Sequence, residues 1–185
     1  MVEAEMTRDR HDDPRKLTAM IARVSELAAN HAVCSVVVGV AVFAAWVGLN
    51  DFYPRIGKAG PAWNPHVQFG DDSALAWLFV AVRVAGSSLV VPPLEEVFYR
   101  SFLYRYITRA DFQSVPLGRF APVPFLATSA IFGFAHHEWL AGILCGLAYQ
   151  GLVCRKGRLS DVIAAHAITN ALLGIWVIGR GAWHF

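Results

Sequence analysis

The chain has 185 residues, 56% of them hydrophobic and only 16% charged, with a mean hydropathy of +0.43. Soluble domains carry roughly 25% charged residues, so this composition excludes an ordinary soluble domain and points to an integral membrane protein. The formal net charge is +2 and the basic residues are scattered between apolar segments, which excludes nucleic acid as a partner and leaves the lipid bilayer.

Residues 1–30 read as a cytosolic polar tail ending in an amphipathic helix over residues 17–29. Its "RDRHDDPRK" run is too charged for a bilayer and lacks the layout of a cleavable signal peptide. Residues 31–185 read as a single membrane domain. The first span is residues 31–49, nineteen residues without a charge, about 28 Å as a helix and close to the ~30 Å hydrocarbon core. Residues 50–72 form a loop rich in Pro, Gly and Trp. Residues 73–91 form a second span holding one charge, Arg83, and "VPP" is expected to break or kink it.

A helix over residues 94–109 follows, with Pro93 near its first turn. Residues 111–124 are a loop, and residues 125–136 a short apolar helix. Residues 139–154 form another, whose Gly142/Gly146 spacing allows close helix contact. Ser160 is the expected N-cap of the last helix, with Asp161 at its positive end, and that helix runs to about residue 178. The pattern predicts an all-α, polytopic bundle of about five to six membrane-embedded helices. The cysteines Cys34, Cys145 and Cys154 lie in or at the ends of apolar stretches and form no CxxC, so they read as buried, inert thiols.

Counting basic residues sets the orientation. With alternating spans and a cytosolic N-terminus, twelve Lys and Arg fall inside against Arg55, Lys58 and Arg180 outside. The count assumes that the helix carrying Glu95 is not a separate crossing; if it is, the bias weakens.

Ionisable groups at membrane depth are costly and are functional candidates by default. They are Arg83, Glu95, Glu96, Arg100, His136, His137, Glu138 and His166, joined by the amide of Asn170. In "EEVFYR", Glu96 and Arg100 are four apart, acid first, the favourable order for a helical ion pair. Glu95 faces about 100° away and has Tyr99, not a cation, at its own fourth position, so it is free for acid or base work. In "FGFAHHEW", His136 shares a face with Phe132, His137 points elsewhere and Glu138 is expected at the interface. In "HAITN", His166 and Asn170 share a face flanked by Ala165, Ala167 and Ala171, small enough for another helix to come close. Each pattern alone also fits a structural role: a charged span end, a core histidine, an interhelical hydrogen bond. Together they offer one carboxylate, two imidazoles and one amide, a set suited to amide hydrolysis. His136 and His166 as axial ligands of a b-haem, or as quinone ligands, form a rival reading that leaves Glu95 and Asn170 idle.

In order along the chain, "EEVFYR" matches EExxxR, "FGFAH" matches FxxxH and "HAITN" matches HxxxN. This triplet resembles the CPBP intramembrane proteases, also called the Abi or CAAX-protease family, over a core of about residues 75–178. The family includes the type II CAAX prenyl endopeptidase and bacterial members tied to bacteriocin immunity. The resemblance implies an intramembrane endopeptidase of a bacterial inner (plasma) membrane, acting on a membrane-anchored or lipidated, CAAX-like substrate. It implies Glu95 as the water-activating glutamate, His136 as partner of that water, and His166 with Asn170 as ligand and donor or as oxyanion clamp. Glu96 and Arg100 become the supporting pair. Zinc on Glu95, His136 and His166 is one version of this site; the favoured version needs no cofactor. A non-catalytic member that binds a partner in immunity or maturation is the alternative. One departure is "FYRS", where Ser101 replaces the glycine of the family's usual FRG text, which is expected to change packing locally. A geometric condition also follows. Simple alternation of spans would put His136 and His166 near opposite membrane faces, so one shared site requires the turn at residues 137–138 to lie deep.

Overall fold

A computed structural model describes residues 14–57 and 62–185; of the polar tail expected over residues 1–30, residues 1–13 lie outside them. All regular structure among the described residues is helical. Three helices are long and apolar enough to cross a membrane, and a shorter apolar helix accompanies them. The chain divides into two units, Met1–Cys34 and Ser35–Phe185.

The first helix, α1, runs without interruption over Pro14–Gly48, where an amphipathic helix and a separate span were expected. Between Lys16 and Gly39 the sequence holds neither Pro nor Gly, and the polar pair Asn30–His31 does not stop a helix. A short helix α2, Pro65–Phe69, is capped by the Asn64 side chain, which accepts from the His66 N–H.

Helix α3 also corrects the expectation. The break at "VPP" does not occur: a single 35-residue helical body covers Ala74–Thr108. Two π-helical stretches, Gly86–Val90 and Val97–Leu103, lie within it. The first absorbs the prolines. Pro92 and Pro93 have no N–H, and their rings clash with carbonyls a regular turn below. A wider turn just before them lets the helix continue. The Val91 N–H bonds to the Gly86 carbonyl, five residues back, which leaves the Ser87 carbonyl with no intrahelical donor, since its next candidate is Pro92. The outer face of α3 is lipid-like: Leu78, Val82, Leu89 and Leu94 are each 57–71% exposed, which suits hydrocarbon and not water.

The loop after α3 is pinned by the end of that helix. Arg105 donates through Nε to the Val115 carbonyl at 2.7 Å and through Nη2 to the Gln113 carbonyl at 3.0 Å. Its Nη1 also reaches the Ser101 hydroxyl at 3.2 Å, a contact that the glycine of the family text could not make.

Helix α4, Pro122–Phe134, begins one turn earlier than expected because Pro122 suits the first helical position. It ends before His136, which therefore sits in the turn. Helix α5, Trp139–Lys156, packs back against α4 and closes at Gly157 in the left-handed region, φ 69°. The two helices touch through small residues: a Cβ on Gly146 would come 2.8 Å from the Ser129 Cα, and one on Gly142 2.8 Å from the Gly133 Cα. Gly146→Leu should therefore lower stability by about 1–3 kcal/mol, the usual cost of overpacking, read as a lower midpoint in a thermal unfolding scan.

The α4–α5 turn is irregular backbone, tolerated at membrane depth only if other groups satisfy it. Residues 53–57 do so. The Ile56 N–H donates to the His137 carbonyl at 3.1 Å, and His137 Nδ1 pairs with the Ile56 carbonyl at 2.8 Å. Trp139 Nε1 donates to the Pro54 carbonyl at 2.8 Å, and the Ala141 N–H to the Tyr53 hydroxyl at 3.2 Å.

Helix α6, Ser160–Arg180, corrects the expected cap. Ser160 is already helical and Leu159 is the N-cap, without a side-chain bond. Asp161 lies in the first turn, as expected, and is gripped by Arg158 at 2.6 and 3.0 Å. The end of α1 lies on α6 through small side chains. The Thr169 hydroxyl donates to the Gly39 carbonyl at 2.9 Å, and a Cβ on Gly39 would come within 2.6 Å of the Ala165 carbonyl. Of the cysteines, only Cys145 is buried; Cys34 and Cys154 are half-buried, and all three are free.

Candidate active site

Residues at intervals of three or four on α3 (Val80, Arg83, Val84, Ser87, Val91, Glu95) face a matching stripe on α6 (His166, Thr169, Asn170, Leu173, Gly174, Val177) across a cavity of about 260 Å³. His136, Glu138, Phe132, Cys145 and Tyr149 close its other sides. From Val80 to Glu95 the slot spans about 22 Å by helical rise. The four expected residues Glu95, His136, His166 and Asn170 thus line one cavity, from two helices and one turn. The short α4 makes this possible, because its following turn brings His136 to the cavity instead of to a far membrane face.

The two acids have different surroundings. Glu96 is 0% exposed. Its Oε1 lies 2.8 Å from His166 Nδ1, and its Oε2 lies 3.1 Å from Arg100 Nε. Arg100 is 1% exposed, and its guanidinium lies 4.5 Å from the Phe132 ring centre, with Tyr99 and Tyr149 beside it. An ion pair this deep offsets the burial of two charges, with aromatic faces supplying the rest of the cation's surroundings. The Glu96–His166 bond was not anticipated from the sequence, because the two residues are 70 apart.

Glu95 lies on the cavity side. Its Oε2 is buried yet has no hydrogen-bond partner, and the nearest charged contact is His166 Nε2 at 4.0 Å. That is too long for a direct hydrogen bond and within the span that one water bridges.

The imidazoles are held by their Nδ1 atoms. His136 Nδ1 is 2.7 Å from the Phe132 carbonyl. A carbonyl only accepts, so Nδ1 carries the proton and Nε2 of the neutral ring is an acceptor. The Trp46 ring edge packs 5.5 Å from His136. His166 is fixed in the same manner by Glu96, with Tyr149 5.1 Å from its ring. Asn170 Nδ2 donates to the Ser87 carbonyl at 2.7 Å, the carbonyl that the prolines free. Its second N–H and its oxygen remain for the cavity.

Glu138 departs from the expectation. It is not an interfacial residue but is 8% exposed, lines the cavity and lies 3.6 Å from Arg55 Nε. His137 points away, as expected, onto the Ile56 carbonyl. For zinc, no group of three His, Cys, Asp or Glu side chains among the described residues is disposed to hold a metal ion. In the donor set Glu95, His136, His166, Glu96 takes His166 Nδ1 and the Phe132 carbonyl takes His136 Nδ1, which leaves Nε2 of each ring available, the arrangement that ligating imidazoles also use.

No curated protein and no solved structure matches the chain. A family model does: the Rce1-like family, described as type II CAAX prenyl endopeptidase Rce1-like, matches residues 73–172. That stretch is more than half of the 185 residues and contains all three motifs. With its membrane-spanning helices and a Glu–His–Asn cavity between them, the chain belongs to the Rce1-like family of CAAX-type membrane proteases.

Proposed function

We propose that this protein is an intramembrane endopeptidase that hydrolyses a peptide bond in a membrane-anchored or lipidated, CAAX-like substrate, with water activated by Glu95. The observation that carries this reading is the buried, unpartnered Oε2 of Glu95, facing His166 Nε2 at 4.0 Å across the cavity. An unpaired carboxylate oxygen at such a place is costly to leave unbonded, and a nucleophilic water satisfies it.

Glu95 takes a proton from that water as its oxygen attacks the scissile carbonyl carbon. His136 Nε2, an acceptor in the neutral ring, holds the water's second hydrogen. The carbonyl oxygen becomes an oxyanion and meets two donors. One is the spare N–H of Asn170. The other is Nε2–H of His166 in its imidazolium form, held through Nδ1 by the Glu96 carboxylate. Glu96 and Arg100 position His166 and do not touch the substrate. The proton on Glu95 then passes to the departing amine, and the C–N bond breaks. Charge development is met by groups already in place, which is where such sites gain most of their rate.

The family membership supports the substrate class. The orientation with a cytosolic N-terminus in a bacterial inner membrane is supported by the excess of basic residues on one side. Because α3 is one continuous body, Arg100, Arg105 and Arg109 stay on the side reached by its end. Protein reconstituted in liposomes with a lipid-anchored peptide should release two fragments, resolved by mass spectrometry. Saturable binding of such peptides with no fragment across a panel of sequences would instead favour a non-catalytic, partner-binding role.

A further inference from the structure

Arg83 lies on the same slot wall as Glu95, twelve residues earlier on α3 and hence about 18 Å away by helical rise. A cation within a membrane-spanning helix is expensive unless it is paired or functional. Among the described residues no Asp or Glu side chain forms an ion pair with Arg83. Its partners come from the segment that follows α6. Arg83 Nη2 donates to the Phe185 main-chain oxygen, and the guanidinium lies 5.6 Å from the Trp183 ring centre.

The route of that segment is built into the backbone. Gly181 adopts φ 64°, a left-handed conformation that L side chains resist, and turns the chain at the end of α6. The Ala182 N–H then returns to the Val177 carbonyl at 3.1 Å. Trp183 and Phe185 enter the slot and become part of its lining. A length of main chain therefore already borders the cavity, with a main-chain oxygen on Arg83 and the aromatic side chains of Trp183 and Phe185 in the lining. The Arg83–Glu95 separation equals about five residues of extended peptide at ~3.3 Å each.

We propose that Arg83 is a substrate-positioning residue: its guanidinium binds a main-chain carbonyl of the peptide that enters the slot, and the chain's own Trp183–Phe185 segment holds that place until the peptide displaces it. The inference rests on the peptidase reading for the identity of its ligand. A guanidinium–carbonyl bond in a water-poor slot is charge-assisted and roughly twice as strong as a neutral one. Because the internal segment competes for the same donor, weakening it favours the incoming peptide.

The test separates binding from turnover. In a Glu95→Gln background, a fluorescent lipid-anchored peptide is titrated into the protein in nanodiscs. With Trp183→Ala as the reference, so that release of the competing segment does not offset the loss, Arg83→Gln should weaken binding about 10–100-fold, the loss expected for a hydrogen bond to a charged group. Trp183→Ala should tighten it about 3–10-fold by removing a cation–π contact from the competing segment. With Glu95 restored, Arg83→Gln should raise KM by the same factor while kcat stays within about threefold. Should Arg83→Gln not fold, Arg83→Lys carries the same test, with an about 3–10-fold loss, since it keeps the charge and loses the fork. Unchanged affinity in the Arg83 variants, or no saturable peptide binding by any form, overturns the proposal. Arg83-dependent binding by a protein that cuts nothing upholds the positioning role and sinks the peptidase reading. Cleavage with KM untouched by Arg83 does the reverse.

Discussion

Glu95→Gln should leave the bundle folded and cut peptide release by about 10²–10⁴-fold, the range a positioned acid or base contributes. The substitution keeps the shape of the side chain and removes its negative charge and its ability to take a proton. Little else depends on that group: Glu95 Oε2 has no hydrogen-bond partner, and Arg100 is held by Glu96. Thermal unfolding should therefore stay within about 0.5 kcal/mol of wild type, as for substitutions that break no named interaction. Initial rates of fragment release in liposomes, normalised to folded protein, give the comparison. A Glu95→Gln protein that cleaves at the wild-type rate ends the mechanism proposed for this site.

The opposite pattern is expected one residue on. Arg100→Met should destabilise the protein by about 3–5 kcal/mol, because it strands Glu96 as an uncompensated buried charge. Arg100 and Glu96 are among the most deeply buried side chains of the molecule, so water cannot take over. The free thiol of Cys145, only 2% exposed, reports unfolding: a thiol-reactive dye should label it at a clearly lower temperature. Glu96→Gln alone leaves the cation unpaired and also loosens His166, so both stability and rate should fall. Glu96→Gln combined with Arg100→Met should cost less than the two single changes added together, since no buried charge is then left alone. Strict additivity would mean that the two do not interact energetically, whatever their 3.1 Å separation.

These two predictions separate adjacent carboxylates by their environment, and part of that separation was legible in the sequence. Spacing alone put Arg100 four residues after Glu96 and left Glu95 without a cation. Local patterns of this kind survive folding because helical geometry fixes which neighbours meet. The same holds for the membrane-spanning segments and for the Gly142/Gly146 contact: hydrocarbon selects on residue type, and small side chains allow close approach regardless of what lies beyond. The ordered motifs EExxxR, FxxxH and HxxxN likewise sufficed to indicate the family.

What the sequence hid were effects of partners distant along the chain. Pro92 and Pro93 read as a break, yet the helix passes through them, because a π turn before them and Asn170 opposite absorb the missing hydrogen bonds. Glu138 read as interfacial until residues 53–57 covered its turn and Arg55 came alongside it. Ser160 had the right chemistry for a cap, but the helix takes it as its first residue, with Leu159 at the cap. No local rule joins Glu96 to His166 or Arg83 to Phe185. The sequence by itself determined that this is a helical membrane protein and which polar side chains its spans must carry. Only the tertiary structure decided which of those side chains are paired and which face the slot, because each pairing is set by burial shared between segments that no helical period connects.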